Sequence, residues 1–435
     1  MARRRSRLTR REFLCVAGGA AAGVGLWPWL PKAAAAEAAL GSGDSGLPFG
    51  CAAGDVTPEG AIVWLRADAE GGVAVQYGKD PGLSSFVATM PLRVRKETDF
   101  TAKIKIDGLE PKTVYYYRGV ATGKSAGPVS RFVTAPLLED PADVRFAFSG
   151  DSRESFQPFS IMDSIRAQRP DFFLHLGDTI YADRGGIASR LPDFWAKYRA
   201  NRSDPPTQRL FSETSLYVTW DDHEVADDYD ASHPLAPIGQ QAFFDYWPIR
   251  QSPQEPNRLY RSFRWGKALE LFILDTRQYR DPFAGTILGG TQKRWLLESL
   301  SSSTAWFKFI ATSVPFSSPD ADKWGGFPEE RQEVLKLIEG RRIPGVVFLT
   351  ADVHYAAVSK VPGESGLKEF IVGPLAAPMG RAGGAAERFE FFSKESYNYG
   401  MVRVHARSQP PYAEIEILDQ NNRSLHKARM NAQPR

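Results

Sequence analysis

The stretch Val218-Thr219-Trp220-Asp221-Asp222-His223-Glu224-Val225-Ala226-Asp227-Asp228-Tyr229-Asp230 sets six carboxylates around one histidine directly behind a β-type run. Charges this close repel one another unless something neutralises them. The aromatic and β-branched lead-in places Asp221 to Glu224 at the end of a strand, beside a core. A fold that accepts such a segment near its interior has to supply cations, and a metal site is the first candidate.

Other carboxylates fall at equivalent places. Arg145-Phe146-Ala147-Phe148 ends in Ser149-Gly150-Asp151, and Phe172 to Leu176 ends in Gly177-Asp178-Thr179-Ile180-Tyr181. Val347-Phe348-Leu349-Thr350 ends in Ala351-Asp352-Val353-His354. Four apolar strands thus deliver Asp, or Asp with His or Tyr, at the carboxyl end, where open α/β sheets place ligands. Hard oxygen donors with a few imidazoles suit Fe, Mn, Zn, Ca or Mg. Two such ions side by side would activate a water molecule and clamp the attacking and leaving oxygens of a phosphate ester.

The organisation around these blocks divides in two. Residues 47–136 carry short β runs separated by turns, among them Ala61–Leu65, Val73–Tyr77, Ala102–Ile106 and Val114–Val120, the pattern of a small β-sandwich. From 143 to 419 apolar strands alternate with amphipathic helices, the α/β signature. The helices are expected over Phe159–Gln168, Pro192–Asn201, Thr291–Ser301, with Thr291 as N-cap, and Glu329–Glu339. Residues 420–435 read as a polar tail.

Residues 1–36 have the basic, apolar and small-residue parts of a signal peptide in order. Arg10-Arg11-Glu12-Phe13-Leu14 resembles a twin-arginine (Tat) export signal, with Cys15 where a Lys is usual. That resemblance implies passage through the Tat export machinery to a periplasmic, cell-wall or extracellular location. The leader holds seven Lys or Arg against one Glu; without it 47 basic and 50 acidic residues remain, which is no nucleic-acid-binding signature. The remaining chain has no run of about 18 apolar residues, hence no expected transmembrane anchor. Cys51 is then a lone cysteine and reads as a small buried hydrophobe.

Taken together, Gly150-Asp151, Gly177-Asp178-x-x-Tyr181, Asp222-His223-Glu224 and Asp352-x-His354 resemble the ordered blocks of calcineurin-like metallophosphoesterases. More narrowly, Trp220-Asp221-Asp222-His223-Glu224-Val225, Leu274-Asp275-Thr276-Arg277-Gln278-Tyr279-Arg280, Leu288-Gly289-x-x-Gln292-x-x-Trp295-Leu296 and Val347 to His354 are similar to the PhoD-like alkaline phosphatase/phosphodiesterase family. The resemblance implies two packed mixed β-sheets flanked by helices, preceded by the β-sandwich, and an exported hydrolase of phosphate mono- or diesters working through a metal-activated hydroxide. It implies Asp151, Asp178, Tyr181 and His354 as ligands of one ion, with Asp178 bridging to a second held by Asp222 and Asp352. Fe(III) with Ca(II) is the implied set, with Zn or Mn as alternatives. His223 would protonate the leaving oxygen. Asp151 stands where the family often has a cysteine, which leaves the metal set open. Arg277 is a candidate phosphate clamp, with a structural ion pair to Asp275 as its alternative, and Asp228 a candidate ligand of an extra ion. Asp221 and Glu224 are expected to orient their neighbours. Phospholipase D-like cleavage of phospholipid diesters, and a non-catalytic calcium-holding binding protein, are the competing readings; a third, with Ser152 as an esterase nucleophile, leaves Asp178, Tyr181 and Asp222 without a role.

Overall fold

The computed structural model of the chain describes residues 44–361, 363, 366–380 and 389–433. The leader, and with it the twin-arginine reading, lies outside the described residues.

Two large mixed sheets pack face to face. The nine-stranded sheet runs, edge to edge, Ser424–Asn431, Tyr412–Asp419, Asn398–His405, Val144–Ser149, Phe172–His175, Ser215–Val218, Cys51–Thr57, Gly60–Arg66 and Thr101–Asp107. The seven-stranded sheet runs Arg261–Trp265, Leu269–Ile273, Phe307–Ala311, Val346–Thr350, Lys368–Ile371, Ala356–Lys360 and Phe389–Ser393. Central strands of both are parallel and apolar on both faces, because each face is covered. The period-two alternation sorts their side chains. Phe146, Phe148, Phe172 and Leu174 meet Leu271, Phe309, Val347 and Leu349 between the sheets. On the outer face of the first sheet, Ala147 and Phe173 pack with Ile165, Phe194, Leu210 and Phe243 of four helices, Ile161–Ala167, Leu191–Arg202, Pro205–Glu213 and Ala236–Tyr246. On the outer face of the second, Phe272, Ile310 and Phe348 pack with Leu296 and Leu300 of Gly289–Ser302 and Val334 and Ile338 of Pro328–Gly340.

Three expectations change. The β-sandwich has its own core, from Leu47 to Phe132, between Cys51–Thr57, Gly60–Arg66 and Thr101–Asp107 on one side and Gly71–Gly78, Val114–Ala121 and Ser130–Val133 on the other. Its first sheet does not end there, however: Cys51–Thr57 pairs in parallel with Ser215–Val218, with Gly54 opposite Leu216, so the hydrogen-bond ladder runs unbroken into the larger sheet. The polar tail is ordered over Ser424–Asn431, which pairs antiparallel with Tyr412–Asp419; its exposed polar side chains suit an edge strand whose backbone supplies the binding. The helix expected to begin at Thr291 starts at Gly289, with Leu288 at the cap position and no side-chain cap bond.

What matters for function is the register. His175 lies opposite both Ser149 and Val218, so the three neighbouring strands Val144–Ser149, Phe172–His175 and Ser215–Val218 end level with one another. Their carboxyl ends, with that of Val346–Thr350 in the facing sheet, present the acidic blocks to one place.

Candidate metal centre

Sharp turns follow these strands. Asp151, Asp178, Asp352 and His354 all adopt positive φ, at 67°, 52°, 71° and 56°. Asp and His tolerate this left-handed region better than most residues, and strain of this kind persists where the surrounding structure fixes it. Gly373, at φ +104°, is required nearby: a Cβ there would lie 2.3 Å from Asp151 Oδ2. Gly177, at φ +110°, likewise turns the chain where a Cβ would meet the Asp221 backbone at 2.8 Å.

The ligand atoms of Asp151, Asp178 and His354 lie within 4.8 Å of one another, and so do those of Asp178, Asp222 and His223, and those of Asp221, Asp222 and Asp352. Asp178 is therefore common to two adjoining groups. Asp151 and Asp178 are both about 1% exposed. Burial, reinforced by the neighbouring carboxylates, pushes the pKa of each well above the usual range. Asp151 Oδ2 is buried without a hydrogen-bond partner among the described residues. His354 donates Nδ1–H to the Pro378 carbonyl at 2.6 Å, which turns Nε2 toward the Tyr181 hydroxyl at 3.0 Å and Asp151 Oδ1 at 3.7 Å. Burial lowers the His354 pKa to about 4, so the ring is neutral and its lone pair faces the carboxylates. An orphaned buried carboxylate oxygen, a neutral imidazole with a fixed tautomer and a buried phenol make a donor set that a hard cation fits.

Asp222 has different surroundings. Burial acts to raise its pKa, but Arg277, His223 and Lys323 outweigh this and hold it at about 2. Its two oxygens accept from the backbone N–H groups of His223 (3.0 Å) and Asp228 (2.7 Å). Asp352 lies 2.6 Å from Lys323 Nζ. Burial nevertheless lifts it to about 8.

His223 leans over Tyr181, with ring centroids 4.2 Å apart. Its Nδ1–H donates to Asp183 Oδ1 at 2.8 Å, leaving Nε2 3.9 Å from Asp178 Oδ2. Burial disfavours the imidazolium, but the Asp183 bond and the charges of Asp222, Asp183 and Asp227 prevail and raise the pKa. Glu224 joins two strand ends, accepting from the backbone N–H of Asp178 (3.2 Å), Thr179 (2.5 Å) and Asp221 (2.9 Å).

Two expected site residues have partners of their own beside the ligand groups. Arg277 is 0% exposed, and its guanidinium lies on Asp221 (2.6 Å) and Asp322 (3.2 Å), the arrangement of a structural ion pair rather than of a fork open to substrate. Asp275, the alternative partner, accepts instead from Trp220 Nε1 and the Arg277 backbone. Asp228 joins none of the three-ligand groups among the described residues; burial and a contact with Asp322 raise its pKa to about 6. Asp183, Asp322 and Lys323 were not singled out from the sequence. Asp183 had a signal, lying two residues past Tyr181 on the same loop. Lys323 had none short of the fold.

Paired mixed sheets with carboxylates and imidazoles gathered where their carboxyl edges meet define a metallophosphoesterase. Residues 146–408 match the PhoD-like phosphatase family and residues 33–136 the PhoD-like phosphatase N-terminal domain. The chain belongs to the PhoD-like phosphatase family and is a metal-dependent phosphoric ester hydrolase. It is 28% identical over 424 residues to alkaline phosphatase D of Bacillus subtilis (strain 168), covering 81% of this chain and 72% of the relative. In fold it is similar to a solved structure of PhoD, with TM-score 0.76, 22% identity and coverage of 88% and 92% of the two chains. It is also similar to a purple acid phosphatase from yellow lupin (Lupinus luteus) seeds, with TM-score 0.69, 13% identity and coverage of 88% and 74%.

Proposed function

We propose that the chain hydrolyses phosphate mono- or diesters at two adjoining metal positions that share Asp178, with His223 as the group that protonates the leaving oxygen. Asp151, Asp178, Tyr181 and His354 would hold one ion, Asp178, Asp222 and Asp352 the other. Bound there, the ions supply the charge that lowers the pKa of the attacking water and neutralises the phosphate. The protein's own contribution is positional. Asp183 locks the His223 ring so that Nε2 faces the cluster, and it favours the protonated form that a general acid needs. Pro378 fixes the His354 tautomer, and Glu224 ties the Asp178 loop to the Asp221 loop.

The observation that carries this reading is the sharing of one buried carboxylate, Asp178, by two adjoining groups, one with Asp151 and His354 and one with Asp222 and His223, the last oriented by Asp183. Hydrolysis of p-nitrophenyl phosphate and bis-p-nitrophenyl phosphate by the purified chain, before and after chelation, tests it alongside elemental analysis. Activity should vanish on chelation and return with metal; activity that survives complete metal removal overturns it. The buried phenol of Tyr181 supports Fe(III) as the first ion, and the carboxylate oxygens of Asp222 and Asp352 support Ca(II) as the second. A visible charge-transfer band that Tyr181→Phe removes is the expected mark of iron. The twin-arginine motif of the leader supports export of the folded enzyme to the periplasm, cell wall or medium. Among the described residues no helix is long and apolar enough to cross a membrane.

A further inference from the structure

Behind the metal-ligand loops lies a cavity of about 20 Å³ lined by Ser152, His175, Tyr198, Arg202 and Trp247, among others. Arg202 is 5% exposed, and its guanidinium stacks on three rings, Trp247 at 4.4 Å, Trp64 at 4.5 Å and Phe211 at 4.9 Å. Among the described residues its side chain makes one hydrogen bond, from a terminal nitrogen to the Tyr246 carbonyl at 2.5 Å, and pairs with no carboxylate. Asp204, two residues on, gives its oxygens to the backbone N–H of Phe159 and to Thr207 instead. Arginine does not lose its proton in proteins, so this charge is permanent. Aromatic faces offset only part of the cost of burying it. The space beside it is therefore where a counter-charge belongs, and the wall there is rich in donors. Trp247 Nε1–H is buried with no acceptor among the described residues, and Tyr198 also lines the space.

We propose that this cavity binds a small monovalent anion, a halide, as the counter-ion of Arg202. The volume sets the class. A cavity needs roughly 10–15 Å³ to take one water molecule, so about 20 Å³ admits a single ion of that size and excludes sulfate or phosphate. The site also touches the catalytic scaffold: Asn201 Nδ2, on the same wall, donates to the carbonyls of Ser152 and Thr179, both at 2.8 Å, and these residues follow Asp151 and Asp178. A halide here would brace the ligand loops from behind without touching the metals.

Crystals of the full chain grown with bromide in place of chloride test this at the bromine edge. One anomalous peak between Arg202 and Trp247 Nε1 is expected; density in the cavity without anomalous signal means water and overturns the proposal. In solution, the unfolding midpoint should be about 2 °C higher in saturating chloride than in gluconate of equal ionic strength. Trp247→Phe keeps the ring and the buried charge but removes the N–H, and should raise the chloride concentration for half effect about tenfold. Equal midpoints in the two salts, or an unchanged chloride dependence in Trp247→Phe, overturn it. None of these readouts depends on the phosphatase reaction.

Discussion

Among the described residues no arginine or lysine pairs with Asp151 or Asp178, whereas Asp221 and Asp352, in the same cluster, lie against Arg277 at 2.6 Å and Lys323 at 2.6 Å. The consequence differs in sign at one residue. Burial and mutual repulsion drive Asp151 and Asp178 well above the normal carboxylate range, while Asp222, facing Arg277, His223 and Lys323, falls to about 2; burial still raises Asp221 and Asp352 despite their cations, Asp352 to about 8. One half of the centre is built to be neutralised from outside, and the other is already half neutralised from within. The comparison predicts that the two metal positions differ in how strongly the protein demands an ion. The Asp151 side lacks any internal substitute, so its ion belongs to the folded state. The Asp352 side has a lysine at the point where a second ion would draw its charge.

The largest effect is expected where the halves join. Asp178→Asn removes the charge common to both, and should cut phosphodiester turnover by about 10³-fold with loss of bound metal. Full metal occupancy with full turnover would remove Asp178 from the bridging role. Next comes the internal cation. Arg277→Met strands the buried Asp221 carboxylate and should cost about 3–5 kcal/mol of stability in urea unfolding. A normal unfolding midpoint combined with a raised KM would restore Arg277 as a substrate clamp.

How much of this asymmetry could be read in advance depends on distance along the chain. The ligand blocks were legible because each is local: an apolar run, a glycine or polar turn, then an aspartate. The two sheets were legible for the same reason, since parallel strands buried on both faces are continuous apolar runs such as Val346–Thr350. The internal cations were not. Arg277 meets Asp221 across 56 residues and Asp322 across 45, and no local pattern marks either pairing. Strands that rely on pairing rather than on their own side chains were missed too. Cys51–Thr57 is rich in Ala and Gly, poor strand formers, yet is held by ladders on both sides. Ser424–Asn431 was read as a tail because its residues are polar, but an edge strand needs only its backbone. The helices Pro205–Glu213 and Ala236–Tyr246 escaped notice because both are short segments with proline in the first turn, which become helical by packing on the sheet.

A further test asks whether His223 serves the chemistry or only the metals, since it borders both halves. His223→Ala should slow an alkyl phosphodiester about 100-fold, yet slow a p-nitrophenyl ester only a few-fold, because nitrophenolate departs without a proton. Asp183→Asn, which loosens the ring without deleting it, should show the same leaving-group dependence at roughly a tenth of the size. A penalty equal for both leaving groups, with metal content lowered, would make His223 a ligand rather than an acid.

The smallest expected effect discriminates best between the halves. Lys323 lies 2.6 Å from Asp352 and 2.8 Å from Asp322, so an ion drawn to Asp352 meets an ammonium already there. Displacing or tolerating that charge weakens the ion's binding, whereas the Asp151, Asp178 and His354 group has no such competitor. Lys323→Met should therefore tighten binding of the second divalent ion about tenfold in calorimetric titration of chelated protein, equivalent to about 1.4 kcal/mol, and leave the first ion's affinity unchanged. If both affinities rise together, the two positions share one field and the division drawn above fails. If the second affinity falls, Lys323 holds Asp352 in place for the ion instead of competing with it, and the asymmetry of the centre lies in its geometry, not in its charge.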